Sequence, residues 1–260
     1  SVLFRSDIDL DGRMEIIALS PDWHVIAFKH DGSVAWLSEA WANAGTYWFN
    51  PVIANIDGPD DLEDPNDQYP EIIFGGTVFD HNGGLRLELP VAQGSITPVV
   101  ADLDGDLTPE IILGGVVFTN AGVPLWAVSS SDVGSVVADV DLDGLPELIV
   151  PKGYKDVPSN VVHQGIAIYE HDGTLKSFTE VEVNYYDGEG FDLHGPTLTV
   201  ANFDPYNESL GTGDDYPEIG FATRKYPDDD HYYVIDGIEN PSGVIGTPAP
   251  TLRWSFDIQD

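Results

Sequence analysis

Residues 101–115 read ADLDGDLTPEIILGG, an acidic stretch that lies between two apolar runs. The run ITPVVA (96–101) precedes the carboxylates and EIILGG (110–115) follows them, and both are short and rich in strand-forming residues. The same order recurs in four further segments: SDIDLDGRMEIIAL (6–19), ANIDGPDDLEDPNDQYPEIIFGG (54–76), ADVDLDGLPELIV (138–150) and ANFDPYNESLGTGDDYPEIGFA (201–222). The sequence therefore predicts one unit, strand, acidic loop and strand, repeated five times.

Each unit continues with a predicted hairpin of two more strands. Tight hairpins need residues with positive φ, and four dipeptides supply them: Asp31-Gly32, Asn82-Gly83, Asp172-Gly173 and Asp236-Gly237. One four-stranded sheet cannot bury both of its faces, whereas radial stacking of successive sheets can. The predicted fold class is all-β, a β-propeller of four-stranded antiparallel blades.

The predicted blades span approximately residues 1–48, 49–94, 95–130, 131–194 and 195–260, within one propeller domain over 1–260. The chain opens in a first strand and closes in a fourth strand, so we expect five whole blades. Closed rings of about seven or eight blades are common for such repeats. We therefore expect the chain to be part of a longer one.

Composition excludes several classes of function. The 260 residues include 10 Lys and Arg against 45 Asp and Glu, a net charge of −35, which would repel nucleic acid and anionic membrane surfaces. There is no Cys, which excludes disulfides and thiolate metal sites. No apolar run is long enough to insert into a membrane. The 31 Asp outnumber the 14 Glu, and the shorter carboxylate favours turns and oxygen coordination.

The acidic stretches of three units place carboxylates at the first, third, fifth and ninth positions of a nine-residue loop. Alternate spacing lets a curled loop point these side chains inward, and the seventh residue can add its carbonyl oxygen. Five or more hard oxygen ligands suit Ca²⁺ better than Mg²⁺. The predicted ligands are Asp7, Asp9, Asp11, Arg13 and Glu15 in acidic loop 1 (7–15), Asp102, Asp104, Asp106, Thr108 and Glu110 in acidic loop 3 (102–110), and Asp139, Asp141, Asp143, Leu145 and Glu147 in acidic loop 4 (139–147).

Glycine is expected where these loops turn sharply, because it tolerates backbone conformations that other residues resist. Gly12 and Gly144 occupy the sixth position, and Gly105 occupies the fourth.

The other two units carry an insertion between the second and third ligands. Aligned backwards from the glutamate, their predicted ligands are Asn55, Asp57, Asp67, Tyr69 and Glu71 in acidic loop 2 (55–71), and Asn202, Asp204, Asp214, Tyr216 and Glu218 in acidic loop 5 (202–218). Up to five Ca²⁺ ions are therefore expected. The alternative is that all five loops are solvated acidic turns.

These residues resemble the FG-GAP or VCBS type of calcium-binding propeller repeat, with its D-x-D-x-D-G-x-x-[DE] loop between two strands. The resemblance covers essentially the whole chain, which departs from the pattern in its two stretched loops and has Glu at the ninth position. Integrin α-subunit propellers, bacterial surface proteins and rhamnogalacturonan lyases look similar. The resemblance implies an extracellular module, secreted or at the cell surface, whose Ca²⁺ ions stiffen the loops.

A ligand face is predicted opposite the acidic loops, where the connections between second and third strands and between blades lie. In the fourth unit, residues 151–165 are predicted to form such a connecting loop. Aromatic rings and a few cations there would suit a carbohydrate or a protein loop. The candidate residues are Trp41, Tyr47, Trp48, Lys152, Lys155, Tyr185, Tyr186, Arg224 and Lys225. The alternative is packing within these connections. Trp36, Trp126 and Trp254 recur at equivalent positions of the fourth strands, where packing in the core or between blades is expected.

Two functions remain open. The first is a non-catalytic module that contacts protein or carbohydrate at the cell surface or in a matrix, in adhesion or as a homo-oligomer or filament. The second is a calcium-dependent polysaccharide lyase of the rhamnogalacturonan type. No hydrolytic motif is present, and a lyase would use Lys152, Lys155 or His163 as the base. No catalytic residue is assigned.

Overall fold

The computed structural model describes residues 4–41, 51–58, 68–91, 97–113, 115–128, 134–156, 161–185, 198–202, 216–223, 231–235 and 252–257. Within these ranges the chain forms twenty strands and no helix. A helix with the length and hydropathy needed to cross a membrane is accordingly not found in this part of the chain.

The strands form five antiparallel sheets of four, each in sequence order. Sheet 1 contains β1 (Phe4–Ser6), β2 (Glu15–Leu19), β3 (His24–Phe28) and β4 (Val34–Trp41). Sheet 2 contains β5 (Val52–Ala54), β6 (Glu71–Phe74), β7 (Thr77–Phe79) and β8 (Leu85–Glu88). Sheet 3 contains β9 (Val99–Ala101), β10 (Glu110–Leu113), β11 (Val116–Phe118) and β12 (Pro124–Ala127).

The last two sheets have the same order. Sheet 4 contains β13 (Val136–Ala138), β14 (Glu147–Asp156), β15 (Val161–Tyr169) and β16 (Leu175–Tyr185). Sheet 5 contains β17 (Thr199–Ala201), β18 (Glu218–Thr223), β19 (His231–Ile235) and β20 (Leu252–Asp257). The prediction of five four-stranded antiparallel units is confirmed, and in each unit the acidic loop joins the first strand to the second.

The chain divides into two compact units, residues 1–127 with sheets 1 to 3 and residues 128–260 with sheets 4 and 5. In the first unit, sheet 2 is buried on both faces. Ile72 packs with residues of sheet 1, while its neighbour Ile73 packs with residues of sheet 3. Successive strand residues point to opposite faces, so sheet 2 lies between the other two.

The second unit has one core cluster between its two sheets. Ile149, Ile166 and Ile168 of sheet 4 pack against Ile219 and Phe221 of sheet 5. Face-to-face packing of successive sheets thus recurs in both compact units.

Four hairpins share one turn. In sheet 1, Gly32 N donates to Lys29 O and Lys29 N donates to Ser33 O, and the same two bonds recur in sheets 2, 3 and 4. The glycines Gly32, Gly83, Gly122 and Gly173 all have positive φ, between 77° and 86°. This pattern is a type I turn followed by a left-handed residue. The positive-φ prediction is confirmed for three of the four dipeptides, and Asp236-Gly237 lies outside the described residues.

A fourth-strand side chain covers the hairpin of the next sheet in the first unit. Trp36 Nε1 donates to His81 O at 3.0 Å, and a Cβ added to Gly83 would lie 2.5–2.9 Å from the indole ring. The packing predicted for Trp36 is confirmed. Trp126 is half-buried, and the side chain of Trp254 lies outside the described residues.

Sheet 4 corrects one part of the sequence interpretation. Residues 151–165 are not a connecting loop, because β14 continues to Asp156 and β15 begins at Val161. Lys152 is paired with Gly165 and Lys155 with Val162. The β-branched residues of β15 favour strand, and three strands that lengthen together satisfy one another's backbone groups.

We predict that Gly83→Ala destabilises the protein more than Gly32→Ala does. The two glycines occupy the same turn position with φ of 86° and 84°, but a Cβ at Gly32 meets nothing within 4 Å. Both variants lose about 1 kcal/mol to left-handed strain, and Gly83→Ala loses a further ~1–3 kcal/mol because it displaces the indole ring. Urea unfolding measures the free energy of unfolding of both variants. In a Trp36→Ala background the difference should vanish, and a persistent difference would contradict this account.

Candidate metal centre

Acidic loops 1, 3 and 4 share one backbone conformation. In each, the residues at the fourth and sixth positions have positive φ, between 56° and 98°: Leu10 and Gly12, Gly105 and Leu107, and Leu142 and Gly144. The predicted glycine positions are confirmed. The three leucines were not predicted, since leucine in this region costs about 1–2 kcal/mol. The loop closure therefore outweighs a local strain in all three loops.

Carboxylates at the first and fifth positions accept hydrogen bonds from the loop's own backbone. In acidic loop 1, Asp7 Oδ2 accepts from Gly12 N at 2.9 Å and Asp11 Oδ1 from Arg13 N at 2.8 Å. The equivalent donor and acceptor pairs are Leu107 with Asp102 at 3.0 Å, Thr108 with Asp106 at 2.7 Å, Gly144 with Asp139 at 3.0 Å, and Leu145 with Asp143 at 2.9 Å. The loops are curled, as predicted.

The glutamate that ends each acidic loop is buried in all five loops. The exposed fractions of Glu15, Glu71, Glu110, Glu147 and Glu218 range from 0% to 7%. In four loops, Oε2 accepts a bond of 2.8–3.1 Å from the backbone N–H of the second loop residue, namely Ile8, Ile56, Leu103 and Val140. These four apolar residues are themselves buried. The glutamate thus holds the loop onto the core, a role that sequence reasoning missed.

Burial also changes the acidity of these glutamates. It raises the pKa of Glu15, Glu71 and Glu110 above the usual glutamate range, and it raises the pKa of Glu147 to about 7. In acidic loops 1 and 3, the neighbouring aspartates raise the glutamate pKa further. A carboxylate in such surroundings requires a positive partner to remain charged at low cost.

The structure brings together the first, third and ninth positions of the three compact loops. One carboxylate oxygen from each member lies within 4.8 Å of the others in three groups: Asp7, Asp9 and Glu15; Asp102, Asp104 and Glu110; and Asp139, Asp141 and Glu147. Asp11 and Asp106 are not in these groups. In acidic loop 4, Asp143 instead groups with Glu147 and Glu170, and Glu170 was not predicted because it lies in the following hairpin.

A positive side chain from the fourth strand of the same sheet contacts the carboxylates of two acidic loops. In acidic loop 4, Lys176 Nζ contacts Asp141 Oδ2 at 2.5 Å, Glu147 Oε1 at 2.8 Å and Glu170 Oε1 at 2.9 Å. Burial lowers the pKa of Lys176, but its bonds to these carboxylates outweigh burial and raise that pKa above the ordinary lysine value.

In sheet 2, the arginine Arg86 on β8 likewise contacts the carboxylates of acidic loop 2. The Arg86 guanidinium contacts both oxygens of Asp57, and Nη1 donates to Glu71 Oε1 at 2.6 Å. The bond to Asp57 raises the pKa of Arg86 further. Asn55 Oδ1 accepts from Asp57 N at 2.9 Å, and the ring of Tyr69 stacks on His81. Asp67 lies outside the described residues.

The remaining predicted ligands belong to acidic loop 5. Asn202 is exposed, Tyr216 is half-buried and Glu218 is buried. Asp204 and Asp214 lie outside the described residues, so the ligand set of this loop stays a prediction.

Acidic loops 1 and 3 fit a bound Ca²⁺ ion by the chemistry of their donors. Asp7 Oδ1 is buried, and no hydrogen-bond donor reaches it within the described ranges. A buried carboxylate oxygen without a hydrogen bond lowers the stability of the folded state unless a cation binds it. Among the described residues, the lysine and arginine ion pairs involve the carboxylates of acidic loops 2 and 4 but none of loops 1 and 3. The donor set is entirely hard oxygen, as Ca²⁺ prefers.

Few residues of the predicted ligand face have described side chains. Lys152 Nζ donates to Tyr169 OH at 3.0 Å and lies 5.7 Å from that ring's centroid. Trp41, Lys155 and Tyr185 lie on β4, β14 and β16, with side chains outside the described part. Tyr47, Trp48, Tyr186, Arg224 and Lys225 lie outside the described residues altogether, so this face stays a prediction.

The sequence matches no protein-family model and no curated protein. In structure, the chain is similar to the V. cholerae biofilm matrix protein Bap1, with a TM-score of 0.58 and 22% sequence identity. The match covers 98% of this chain and 41% of Bap1. Two rhamnogalacturonan lyases match less well. YesX has a TM-score of 0.42 and 16% identity, and the match covers 86% of this chain and 44% of YesX. YesW has a TM-score of 0.44 and 19% identity, and the match covers 82% of this chain and 42% of YesW. The chain thus spans about two fifths of each of these proteins, and the likeness to Bap1 is one of fold.

We predict opposite effects of glycine and alanine at the sixth loop position. Gly144→Ala places a Cβ at a φ of 98° and should lower the free energy of unfolding by about 1 kcal/mol. Leu107→Gly relieves the left-handed strain of a side chain that is 64% exposed, and should leave stability unchanged or raise it by up to ~1 kcal/mol.

Gly134→Ala is the control, since Gly134 has no positive φ and its Cβ would meet nothing within 4 Å. Urea unfolding compares the three variants with the parent protein. Clear destabilisation by Leu107→Gly, or none by Gly144→Ala, would argue against a shared strained loop.

Proposed function

We propose that this chain is the greater part of an extracellular β-propeller in which acidic loops hold structural Ca²⁺ ions, and that it binds a protein or a carbohydrate without catalysing a reaction. The observation that carries the proposal is the convergence of three carboxylates in acidic loops 1 and 3, beside which no described lysine or arginine forms an ion pair.

The propeller arrangement is supported by the packing within each compact unit. Sheet 2 is buried on both faces, as a blade inside a ring would be, and sheets 4 and 5 pack face to face. A four-stranded sheet with two apolar faces needs a neighbour on each side. On this proposal, residues 1–260 form one domain, and further blades would complete the ring.

Calcium is proposed as the cation because of donor chemistry and loop shape. In acidic loops 1 and 3, backbone N–H groups hold the carboxylates at the first and third positions, and burial holds the glutamate at the end of the loop, so these three carboxylates converge. Ca²⁺ accepts six to eight oxygen ligands in irregular geometry, whereas Mg²⁺ demands near-octahedral geometry and keeps several waters. The ion would offset the like charges that crowd each loop.

The proposed location and partners rest on composition and on fold likeness. A chain of net charge −35 would repel anionic polymers such as nucleic acid, so a neutral glycan or a protein is the better partner. Bap1, which has a similar fold, is a biofilm matrix protein. We propose an adhesive or scaffolding role at the cell surface or in a matrix, and such modules can assemble as oligomers or filaments.

A polysaccharide lyase is the less favoured alternative. Lys152 lies five residues along β14 from Glu147, which corresponds to about 17 Å at the rise of a β-strand. His163 is paired with Tyr154, further along the same strand, and its Nδ1 contacts Glu180 at 2.6 Å. An ion in acidic loop 4 is therefore too distant to neutralise the uronate from which either residue would remove a proton.

We expect no calcium-dependent cleavage of pectic polymers. The measurement is the ultraviolet absorbance of unsaturated products during incubation with rhamnogalacturonan in Ca²⁺ and in chelator. Steady turnover that depends on Ca²⁺ would favour the lyase and overturn the non-catalytic proposal.

We predict that Ca²⁺ raises the melting temperature of the protein. A ligand at 100 times its Kd stabilises the folded state by about 2.7 kcal/mol per site, on the order of 5–10 °C for a chain of this size. Glu110→Gln should reduce this shift in Ca²⁺. In chelator the same variant should melt at or above the parent protein, because the buried charge beside three aspartates is gone.

Glu88→Gln is the matched control, because Glu88 is exposed on β8 and outside every acidic loop. It should respond to Ca²⁺ as the parent protein does, and Mg²⁺ at the same concentration should give a smaller shift. Identical melting of the parent protein in Ca²⁺ and in chelator would refute structural calcium.

A further inference from the structure

A β-bulge lies at the same place in the fourth strand of every sheet. The pairing register between third and fourth strands shifts once near the hairpin, and one fourth-strand residue is left without a directly paired partner. These bulge residues are Ala35, Arg86, Leu125, Lys176 and Arg253. A bulge redirects the side chain that it carries. The bulge residue is thus an equivalent position in all five units.

The bulge residue differs in chemistry between units. In sheets 2 and 4 it is a cation, and that cation contacts the acidic loop of its own sheet. In sheets 1 and 3 it is apolar, Ala35 or Leu125, and the adjoining loops contain the carboxylate groups without a described lysine or arginine partner.

We propose that the cationic bulge residues are tethered counter-ions that occupy the ion position of their acidic loops. Acidic loops 2 and 4 then keep their charge balance without a divalent ion, whereas acidic loops 1 and 3 require one. The part that concerns loops 1 and 3 rests on the proposed function. The part that concerns Arg86 and Lys176 stands on their own contacts.

Lys176 meets the requirements of a resident counter-ion. Its ammonium group has three N–H donors, and three carboxylates lie at 2.5–2.9 Å. The Lys176 side chain is 13% exposed, and those of Asp141 and Glu147 are 6% and 1% exposed. The ion pairs of Lys176 therefore differ from a solvent-exposed surface salt bridge, which contributes little to stability. Glu170 adds a third carboxylate from outside the loop.

Arg86 is adapted to acidic loop 2 in a different way. Its guanidinium forms a two-pronged pair with Asp57 and reaches Glu71 Oε1, which is the geometry that a planar fork favours. This loop begins with Asn55 where loops 1, 3 and 4 have an aspartate, so one carboxylate is replaced by an amide. Because acidic loop 2 has one carboxylate fewer, the single positive charge of Arg86 matches its negative charge better than a divalent ion would.

Acidic loop 5 follows the pattern of loop 2 in sequence and register. It begins with Asn202, and its bulge position in β20 is Arg253. The side chain of Arg253 lies outside the described part of the protein, so acidic loop 5 is left out of the proposal. Of the four loops with described contacts, only acidic loops 1 and 3 should then bind Ca²⁺, one ion each.

The test counts bound ions by isothermal titration with CaCl₂ alone, in the parent protein and in variants. Lys176→Met keeps the aliphatic stem and removes the charge, and should bind one more Ca²⁺ than the parent protein does. Its melting temperature should fall in chelator and recover in Ca²⁺. Leu125→Lys places a cation beside acidic loop 3 at a site that is 51% exposed, and should bind one ion fewer.

Lys29→Met is the matched control, because Lys29 is an exposed lysine in the hairpin of sheet 1. It should bind the same number of ions as the parent protein. An unchanged number in Lys176→Met would overturn the inference, and so would an unchanged number in Leu125→Lys if Lys176→Met fails to fold. A parent protein without bound Ca²⁺, combined with one ion in Lys176→Met, would refute calcium in loops 1 and 3 but support the tethered counter-ion.

Discussion

A buried glutamate at the start of each second strand is the constraint on which the acidic loops depend. In the four loops where the structure describes this contact, one of its oxygens accepts the backbone N–H of an apolar loop residue that is itself buried, so loop and sheet are held by the same carboxylate. A charge in that position is costly unless a cation offsets it. Where the structure describes a cation beside the glutamate, as with Lys176 and Glu147, the second carboxylate oxygen faces it. The need for a positive charge therefore follows from how the loop is anchored.

On the proposals above, the acidic loops solve one electrostatic problem in two ways, and the two solutions have different consequences. A side-chain cation is ordered together with its strand, and its presence does not depend on the medium. A divalent ion carries a larger charge, but it is exchanged with solvent and its stabilising effect follows its concentration. A protein that uses both keeps part of its structure when Ca²⁺ is scarce and gains rigidity when Ca²⁺ is abundant. On the same proposals, the chemistry of the bulge residue decides which solution a sheet uses.

Sequence reasoning recovered whatever is encoded by local spacing. The five strand pairs, the curled loops and the glycines Gly12, Gly105 and Gly144 all follow from patterns within about ten residues. The cations were missed because Lys176 is 29 residues from Glu147, and only the register of three strands and a bulge brings the two together. The long strands of sheet 4 are not predictable from local sequence, since Pro151, Gly153 and Gly165 weaken the strand pattern that cross-strand pairing then restores.

On the proposed function, ion binding and ligand binding are separable because the two sites would occupy opposite ends of the same strands. In sheet 4, the acidic loop meets β14 at Glu147, whereas the extended part of the sheet begins near Lys152, about 17 Å away. At that distance and in physiological salt, the direct field of a bound cation is largely screened. An ion can therefore influence a ligand at the far end only through the rigidity of the sheet.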